Sequence, residues 1–379
     1  MVSIVAANFA RFGKRDEDIF AISSESALPI VDKYGDAIDF VVVSNSYSGE
    51  FNDISGLNNL LTTHLALEKV PSMRVDNTSG SGGSAILVAK SLVASGEAEN
   101  VLVIGAEKMT GYPTKKTTRI IASLLPPEER RGGPSLPSLA AFMTRSYLRE
   151  FSPTRESIAM VAVKNHHNGS LNQYAHFQAE VTLEKVMESK VIADPLRIFE
   201  YCPVSDGAVS LLVTSDGNNG SLGNKPVRIT GTGASSGVSS ITSRESLVSI
   251  DSVNVSAKRA FKSAGKAPGD VDIAELHDMA SILEIVESED VGFFKKGEGW
   301  KALESGETAI GGRLPINTSG GLNSKGHPIG ASGVAQTAEI YLQLTGQAGK
   351  RQAKNVTTGF SVSMAGFGNN STSFVYEVE

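Results

Sequence analysis

The chain alternates short apolar runs with stretches of helical spacing, and the two periods divide it into elements. Ser3 to Ala7 predicts a strand, with a loop through Phe12-Gly13-Lys14 after it. Asp18 to Lys33 carries a helical period, and Phe40-Val41-Val42-Val43 predicts a buried strand. His64 to Leu67 predicts part of a helix ahead of a long turn of small residues. Beyond that turn, Ile86 to Ala94 is apolar almost all round, which predicts a buried helix. Asn100 to Gly105 and Val209 to Thr214 predict buried strands, with a helix over Ser157 to Asn168 between them. Ser215 to Lys225 reads as a linker, Val227 to Thr230 as a strand and Ser281 to Glu289 as a helix. This alternation implies a mostly parallel sheet covered on both faces.

The rhythm breaks from Met109 to Phe151, where Pro113, Pro126, Pro127, Pro134 and Pro137 fall among the charges Glu128-Glu129-Arg130-Arg131. An inserted loop region with one or two short helices is expected there. Lys115, Lys116, Arg119, Arg130 and Arg131 form either a solvated charged face or a rim for a phosphate-bearing ligand. The two halves of the chain also echo each other. Asp36-Ala37-Ile38-Asp39-Phe40 resembles Gly269-Asp270-Val271-Asp272-Ile273, and Asn77-Thr78-Ser79-Gly80 returns as Asn317-Thr318-Ser319-Gly320. Repeats at half-chain distance imply two similar α/β halves.

With 379 residues, 38 glycines, 40% hydrophobic and 20% charged residues, the chain reads as an ordinary α/β protein. A net charge of −6 argues against nucleic acid or an anionic membrane surface as partner. No apolar run is long enough to span a bilayer, and no basic segment precedes Met1-Val2-Ser3-Ile4 to suggest a leader. One cysteine, Cys202, excludes an intrachain disulfide and a Cys-rich metal site. A cytoplasmic location is expected, with no metal. Adjacent His166 and His167 do not share a helix face. Gly231-Thr232-Gly233 lacks the third glycine of a dinucleotide loop, because position 236 is Ser236.

The candidate chemistry begins at Arg74-Val75-Asp76-Asn77-Thr78-Ser79-Gly80-Ser81-Gly82-Gly83-Ser84-Ala85. A Gly/Ser turn feeding a buried helix presents unpaired N–H groups and a positive dipole end. That end suits a phosphate, an oxyanion or a nucleophile; a tight structural turn is the competing reading. Two loop histidines stand at strand-to-helix junctions, in Glu275-Leu276-His277-Asp278-Met279-Ala280 and in Gly326-His327-Pro328-Ile329-Gly330. Each is a packed, hydrogen-bonded residue or a group that activates a nucleophile or donates to an oxyanion. Ser363-Met364-Ala365-Gly366-Phe367-Gly368 adds a third glycine-rich junction.

Together these segments resemble the thiolase superfamily, in its archaeal and sterol-carrier-protein-type branch. Val103-Ile104-Gly105-Ala106-Glu107-Lys108-Met109-Thr110, Pro203-Val204-Ser205-Asp206-Gly207-Ala208, His277-Asp278 and Asn317 to Leu322 with Gly326-His327-Pro328 stand in family order. The resemblance implies a thiolase fold, two similar βαβαβαββ halves in a five-layer αβαβα sandwich with an inserted loop domain. Residues 1–110 are then the N-terminal half, 111–155 the inserted loop region, 156–222 the remainder of that half and loop region, and 223–379 the C-terminal half. It implies an acyl-CoA C-acetyltransferase with coenzyme A as part of the substrate and no permanently bound cofactor. It places Ser79 at the cysteine nucleophile, His327 at its activating base and His277 at the oxyanion site. The backbone from Met364 to Gly366 falls at a second oxyanion hole, and Met279 at a cysteine acid/base.

Ser79 and Met279 depart from that pattern together. A hydroxyl is a weaker nucleophile than a thiol, and a thioether carries no proton. Two alternatives therefore stand beside an impaired transferase: a non-catalytic acyl-CoA-binding or assembly subunit, and a serine-dependent acyltransferase or thioesterase. The resemblance further implies a homodimer or homotetramer, with a hydroxymethylglutaryl-CoA synthase and a small zinc-containing scaffold protein as partners. Cys202, in a different motif, is expected in packed core.

Overall fold

The strands expected at 40–43 and 100–105 form the buried middle of one half of a large sheet. The computed structural model describes residues 1–215 and 225–378, so most of the expected linker lies outside the described residues. In chain order the strands of the sheet are β1 (Val2–Phe9), β2 (Phe40–Ser44), β3 (Ser72–Val75), β4 (Asn100–Glu107) and β5 (Gly207–Ser215). The second half supplies β6 (Val227–Ser236), β7 (Ile273–Glu275), β8 (Thr358–Ala365) and β9 (Asn370–Glu377). Their spatial order is β3-β2-β4-β5-β1-β6-β9-β8-β7.

The mostly parallel sheet expected from the alternation is not what forms. Only β2–β3, β2–β4 and β7–β8 are parallel; the other neighbours are antiparallel. The reason is connectivity. β8 and β9 are joined by the four residues 366–369, and such a short link permits only a hairpin. The two half-sheets meet through just two residue pairs, Ser3 with Arg228 and Ile4 with Val227.

The helices divide the structure into five layers, as expected. Helix α1 (Ile19–Tyr34) covers the outer face of the first half-sheet against β5, β1 and β4, and α2 (Leu57–His64) packs on β3 and β2. Helices α3 (Ser81–Ser95) and α9 (Ile329–Leu344) pack on each other between the half-sheets. Helix α7 (Asp251–Ala264) covers the far face against β6 and β9. Between β4 and β5 lie α4 (Thr114–Ile121), α5 (Leu136–Phe151) and α6 (Arg155–Ser170); α8 (Ser281–Val291) follows β7.

The duplication is visible in matched contacts. Each echoed segment makes a 3₁₀ turn and then a buried strand, at Gly35–Ala37 before β2 and at Pro268–Asp270 before β7. The Asp39 carboxylate accepts from the backbone of Glu99 and Asn100 at the start of β4. Asp272 does the same for Thr357 and Thr358 at the start of β8. The counterpart of β3 has shrunk to a single parallel bridge, Ala274 with Ile316.

Several local expectations change. The helix placed at His64 to Leu67 ends at His64, and Ala66 leaves it with φ of 57°. The proline-rich stretch holds a full 16-residue helix, α5, because Pro137 falls in its first turn, where proline is tolerated. The run Gly231-Thr232-Gly233 is strand. A Cβ at Gly233 would sit 2.0 Å from the Ser256 carbonyl oxygen, so the glycines let α7 lie close on β6. Helix α3 is not buried all round: Leu87, Val88 and Leu92 stay half-exposed. No described helix is long and apolar enough to cross a membrane.

The crossing of α3 and α9 explains the glycines of both key segments. A Cβ on Gly82 would lie 2.5 Å from the Val334 nitrogen, and one on Gly333 2.7 Å from the Gly83 nitrogen. Backbone touches backbone there, so neither helix yields by a rotamer change. Gly82→Ala is expected to destabilise the fold by about 1–3 kcal/mol or more, read as a lower urea midpoint at unchanged slope. An unchanged midpoint would mean that the two helices separate freely.

Candidate active site

Three strand-to-helix junctions converge where α3 and α9 begin. The first is a strained turn after β3. Thr78 has φ of 47°, which a β-branched residue adopts at a cost of order 1–3 kcal/mol. The Asp76 carboxylate accepts from Thr78 N at 3.0 Å, while Ser81 Oγ accepts from Asn77 N at 2.7 Å and donates to Thr78 O at 2.6 Å. Ser79 stands at the tip of this turn. It is only 3% exposed, it lines a cavity of about 560 Å³, and its hydroxyl has no hydrogen-bond partner among the described residues.

The second junction carries His327. Its backbone N–H donates to Ser205 Oγ at 3.3 Å, and its Nδ1 is 2.7 Å from Ser332 Oγ. The Ser332 hydroxyl gives its proton to Pro328 O at 2.8 Å. Ser332 Oγ is therefore an acceptor toward the ring, so the tautomer assigned from this network has its proton on Nδ1. Nε2 keeps its lone pair. His327 lines the same cavity as Ser79. Burial, then the neighbouring His277 and Lys325, hold its pKa well below the usual imidazole range, so the ring is neutral at pH 7.

His277, on the third junction, does not reach the cavity wall. It lies behind His327, edge to face, with ring centroids 5.2 Å apart. Its Nδ1 accepts from Met364 N at 3.5 Å, which leaves the proton on Nε2, buried beside the Gln336 side chain. Burial lowers its pKa from 6.5 to about 3. The unfolded chain thus binds the extra proton first as pH falls. The stability that His277 contributes is complete above about pH 6.5 and is lost toward pH 3, at up to ~1.4 kcal/mol per unit. Denaturant midpoints measured down this range are expected to fall less steeply in His277→Gln; equal slopes would remove His277 as a cause.

Buried carboxylates hold the His327 loop in place. Glu107, at the end of β4, accepts from Asn45 Nδ2, Tyr47 N, Ser46 N and Gly330 N at 2.9–3.0 Å, two donors on each oxygen. Gly330 opens α9, three residues after His327. Burial pushes Glu107 up to about 7, yet four donors leave no acceptor for a carboxyl proton, so the anion is the form that fits. Glu107→Gln sets an NH₂ against two N–H donors. We expect a loss on the order of 2–4 kcal/mol from the unpaired buried groups, seen as a lower melting temperature. Asp278 accepts from Leu322 N at 2.7 Å and from Asn165 Nδ2 at 2.8 Å, fixing the five-residue turn Gly321–Lys325. Lys325, fully buried, donates to Ser319 Oγ at 3.1 Å and stands 3.7 Å from Glu275.

Met279, Cys202, Tyr201, Met109, Thr110 and Gly366 complete much of the cavity wall. Cys202, expected in packed core, does pack against the hydrophobic core of the second half and also lines the cavity. Sequence reading also missed Asp206, which gathers Met109 N, Thr110 N, Arg15 N and Lys108 Nζ at 2.7–3.0 Å and shapes one wall. Its position inside Pro203-Val204-Ser205-Asp206-Gly207 was the available signal. The cations at the cavity are Lys14 and Arg15. Lys115, Lys116 and Arg119 line a separate shallow depression on α4 with Glu50, while Arg130 and Arg131 are exposed. No group of three or more potential metal ligands occurs among the described residues.

Comparison with known proteins agrees with this architecture. The family models for "Thiolase, N-terminal domain" and "Thiolase C-terminal domain-like" match residues 2–217 and 233–378. An acetyl-CoA acetyltransferase of Methanothermobacter thermautotrophicus is 37% identical over 99% of both chains. Human sterol carrier protein 2 is 33% identical over 76% of this chain and 55% of its own length. Among solved structures, an "Ltp2-ChsH2(DUF35) aldolase" superposes with a TM-score of 0.85 over 100% of this chain and 97% of that one, at 23% identity, a likeness of fold.

Proposed function

We propose that this chain, which belongs to the thiolase family, takes acyl-CoA into the cavity and transfers the acyl group through Ser79 to the α-carbon of a second acyl-CoA. The observation that carries this reading is that one cavity is lined by both an unpartnered, nearly buried hydroxyl and an imidazole whose Nε2 keeps its lone pair. His327 Nε2 takes the Ser79 proton as Oγ attacks the thioester carbonyl. The coenzyme A sulfur leaves with that proton, and an oxygen ester remains on Ser79. The backbone around Gly366, where φ is 54°, is assigned to the substrate oxygen, while His277, set behind the cavity wall, supports the His327 ring. An enolate from the second acyl-CoA then attacks the ester, and the reverse reaction cleaves a 3-ketoacyl-CoA. Coenzyme A enters as part of the substrate.

Turnover is expected to be slow, since an oxygen ester is a less activated acyl donor than a thioester. Ser79 and Met279 favour a second reading, a subunit that binds acyl-CoA without turnover. In either case we place the chain in the cytoplasm as a homodimer or homotetramer. The half-exposed Leu87, Val88 and Leu92 on α3 support a contact with another copy. The hydroxymethylglutaryl-CoA synthase and the zinc-containing scaffold protein remain the proposed partners. Incubation with acetyl-CoA and acetoacetyl-CoA, followed by intact mass and product analysis, separates the readings. An acetyl adduct with C–C bond turnover supports transfer. Binding with neither supports the subunit, and release of coenzyme A to water supports a thioesterase.

A further inference from the structure

Met279 leaves the acyl-transfer reading without a group to move the α-proton, since a thioether holds none. The cavity does contain a thiol. Tyr201 and Ala280 form an antiparallel bridge, and Cys202 N donates to Met279 O at 2.9 Å. Cys202 and Met279 are therefore directly opposed across that bridge. Opposed residues project on the same side, with Cβ atoms roughly 4.5–5.5 Å apart. Both line the cavity that Ser79 and His327 open onto. The hydroxyl of Ser79, 97% buried by its 3% exposure and without a partner, marks this space independently as one built for a ligand.

We propose that Cys202 is the acid/base that exchanges the α-proton of the acyl-CoA substrate, in place of the side chain opposite it. This inference rests on the acyl-transfer reading above. After Ser79 is acylated, His327 is neutral again and takes the Cys202 proton. The thiolate removes a proton from the α-carbon of the second acyl-CoA, giving a thiol and an enolate. The enolate carbon bonds to the ester carbonyl, the ester C–O bond breaks, and the Ser79 alkoxide recovers the proton held on His327. All three side chains return to their starting protonation states, and no other reactant is needed. Burial raises the thiol well above its usual range, so Cys202 is protonated at rest and its transfer of a proton to His327 runs uphill. The thiolate forms only transiently, in keeping with the slow turnover expected above, and is a strong base when formed.

The test is exchange of the acetyl protons of acetyl-CoA in D₂O, followed by NMR on the full chain, with binding and Ser79 acetylation measured in parallel. The wild-type protein is expected to exchange them. Cys202→Ala is expected to lower exchange by roughly 10²- to 10⁴-fold while binding and acetylation persist. Cys202→Ser, nearly the same size, guards against a folding defect and is expected to lose exchange as well. Met279→Cys added to Cys202→Ala is expected to restore exchange from the opposed position. Unchanged exchange in Cys202→Ala overturns the proposal, as does wild-type protein that binds and is acetylated without exchange. Absence of acetyl-CoA binding overturns the acyl-transfer reading itself.

Discussion

Ser79→Ala is expected to abolish acetyl transfer, by on the order of 10⁴-fold or more, and to leave the fold almost untouched. Both halves of that result follow from one observation. The Ser79 hydroxyl has no hydrogen-bond partner among the described residues, so nothing in the turn depends on it. Its neighbour two positions on behaves oppositely. Ser81 Oγ bonds Asn77 N, Thr78 O and Ser46 Oγ, and the left-handed Thr78 depends on that set. Ser81→Ala therefore loses stability, while Ser79→Ala loses chemistry. Intact mass after acetyl-CoA treatment reads the first variant directly. Acetyl-CoA affinity is expected within a few-fold of wild type, since catalytic and binding losses separate when only the nucleophile is removed. An acetyl adduct that survives in Ser79→Ala would move the acyl group to another residue and sink this assignment.

How far the sequence exposes this site depends on which interactions are local. The turn at Ser79 and the loop at His327 are written in contiguous residues, so glycine density and hydroxyl spacing reveal them. The layering is legible for a related reason: apolar runs bounded by Asp39 and by Asp272 repeat at half-chain distance and make the same backbone contacts. Sheet direction is not legible, because the antiparallel pairs are decided by the short link at 366–369 and by a returning strand at 207–215. Glu107 looks like one more residue of a strand end. Only the folded chain brings it to Gly330, on an element from the other half. Cys202 is equally mute in sequence, since its opposition to Met279 is made by a bridge between residues 79 positions apart, Tyr201 and Ala280.

Restoring thiols at both departed positions, Ser79→Cys with Met279→Cys, is expected to raise Claisen turnover by roughly 10²- to 10⁴-fold. A cysteine has a few per cent thiolate at neutral pH where a serine has essentially no alkoxide, and its acyl product is a thioester. The lone pair on His327 Nε2 and the positive end of α3 act on either nucleophile, so the surroundings need no change. At position 279 the shorter side chain removes buried volume, for a stability loss of about 1–3 kcal/mol, partly relieved because that side chain already borders open space. The single variants divide the gain. Ser79→Cys is expected to speed formation of the acyl adduct, because that step needs only nucleophile and base. Met279→Cys alone is expected to add little to adduct formation and to raise carbon–carbon bond formation only as far as a thiol at 279 outperforms Cys202 at the α-carbon. Burst and steady-state rates with acetyl-CoA and acetoacetyl-CoA distinguish these effects. Should the double variant bind coenzyme A normally and stay inert, the missing thiols are not what limits this chain, and the cavity is better described as a binding site than a catalytic one.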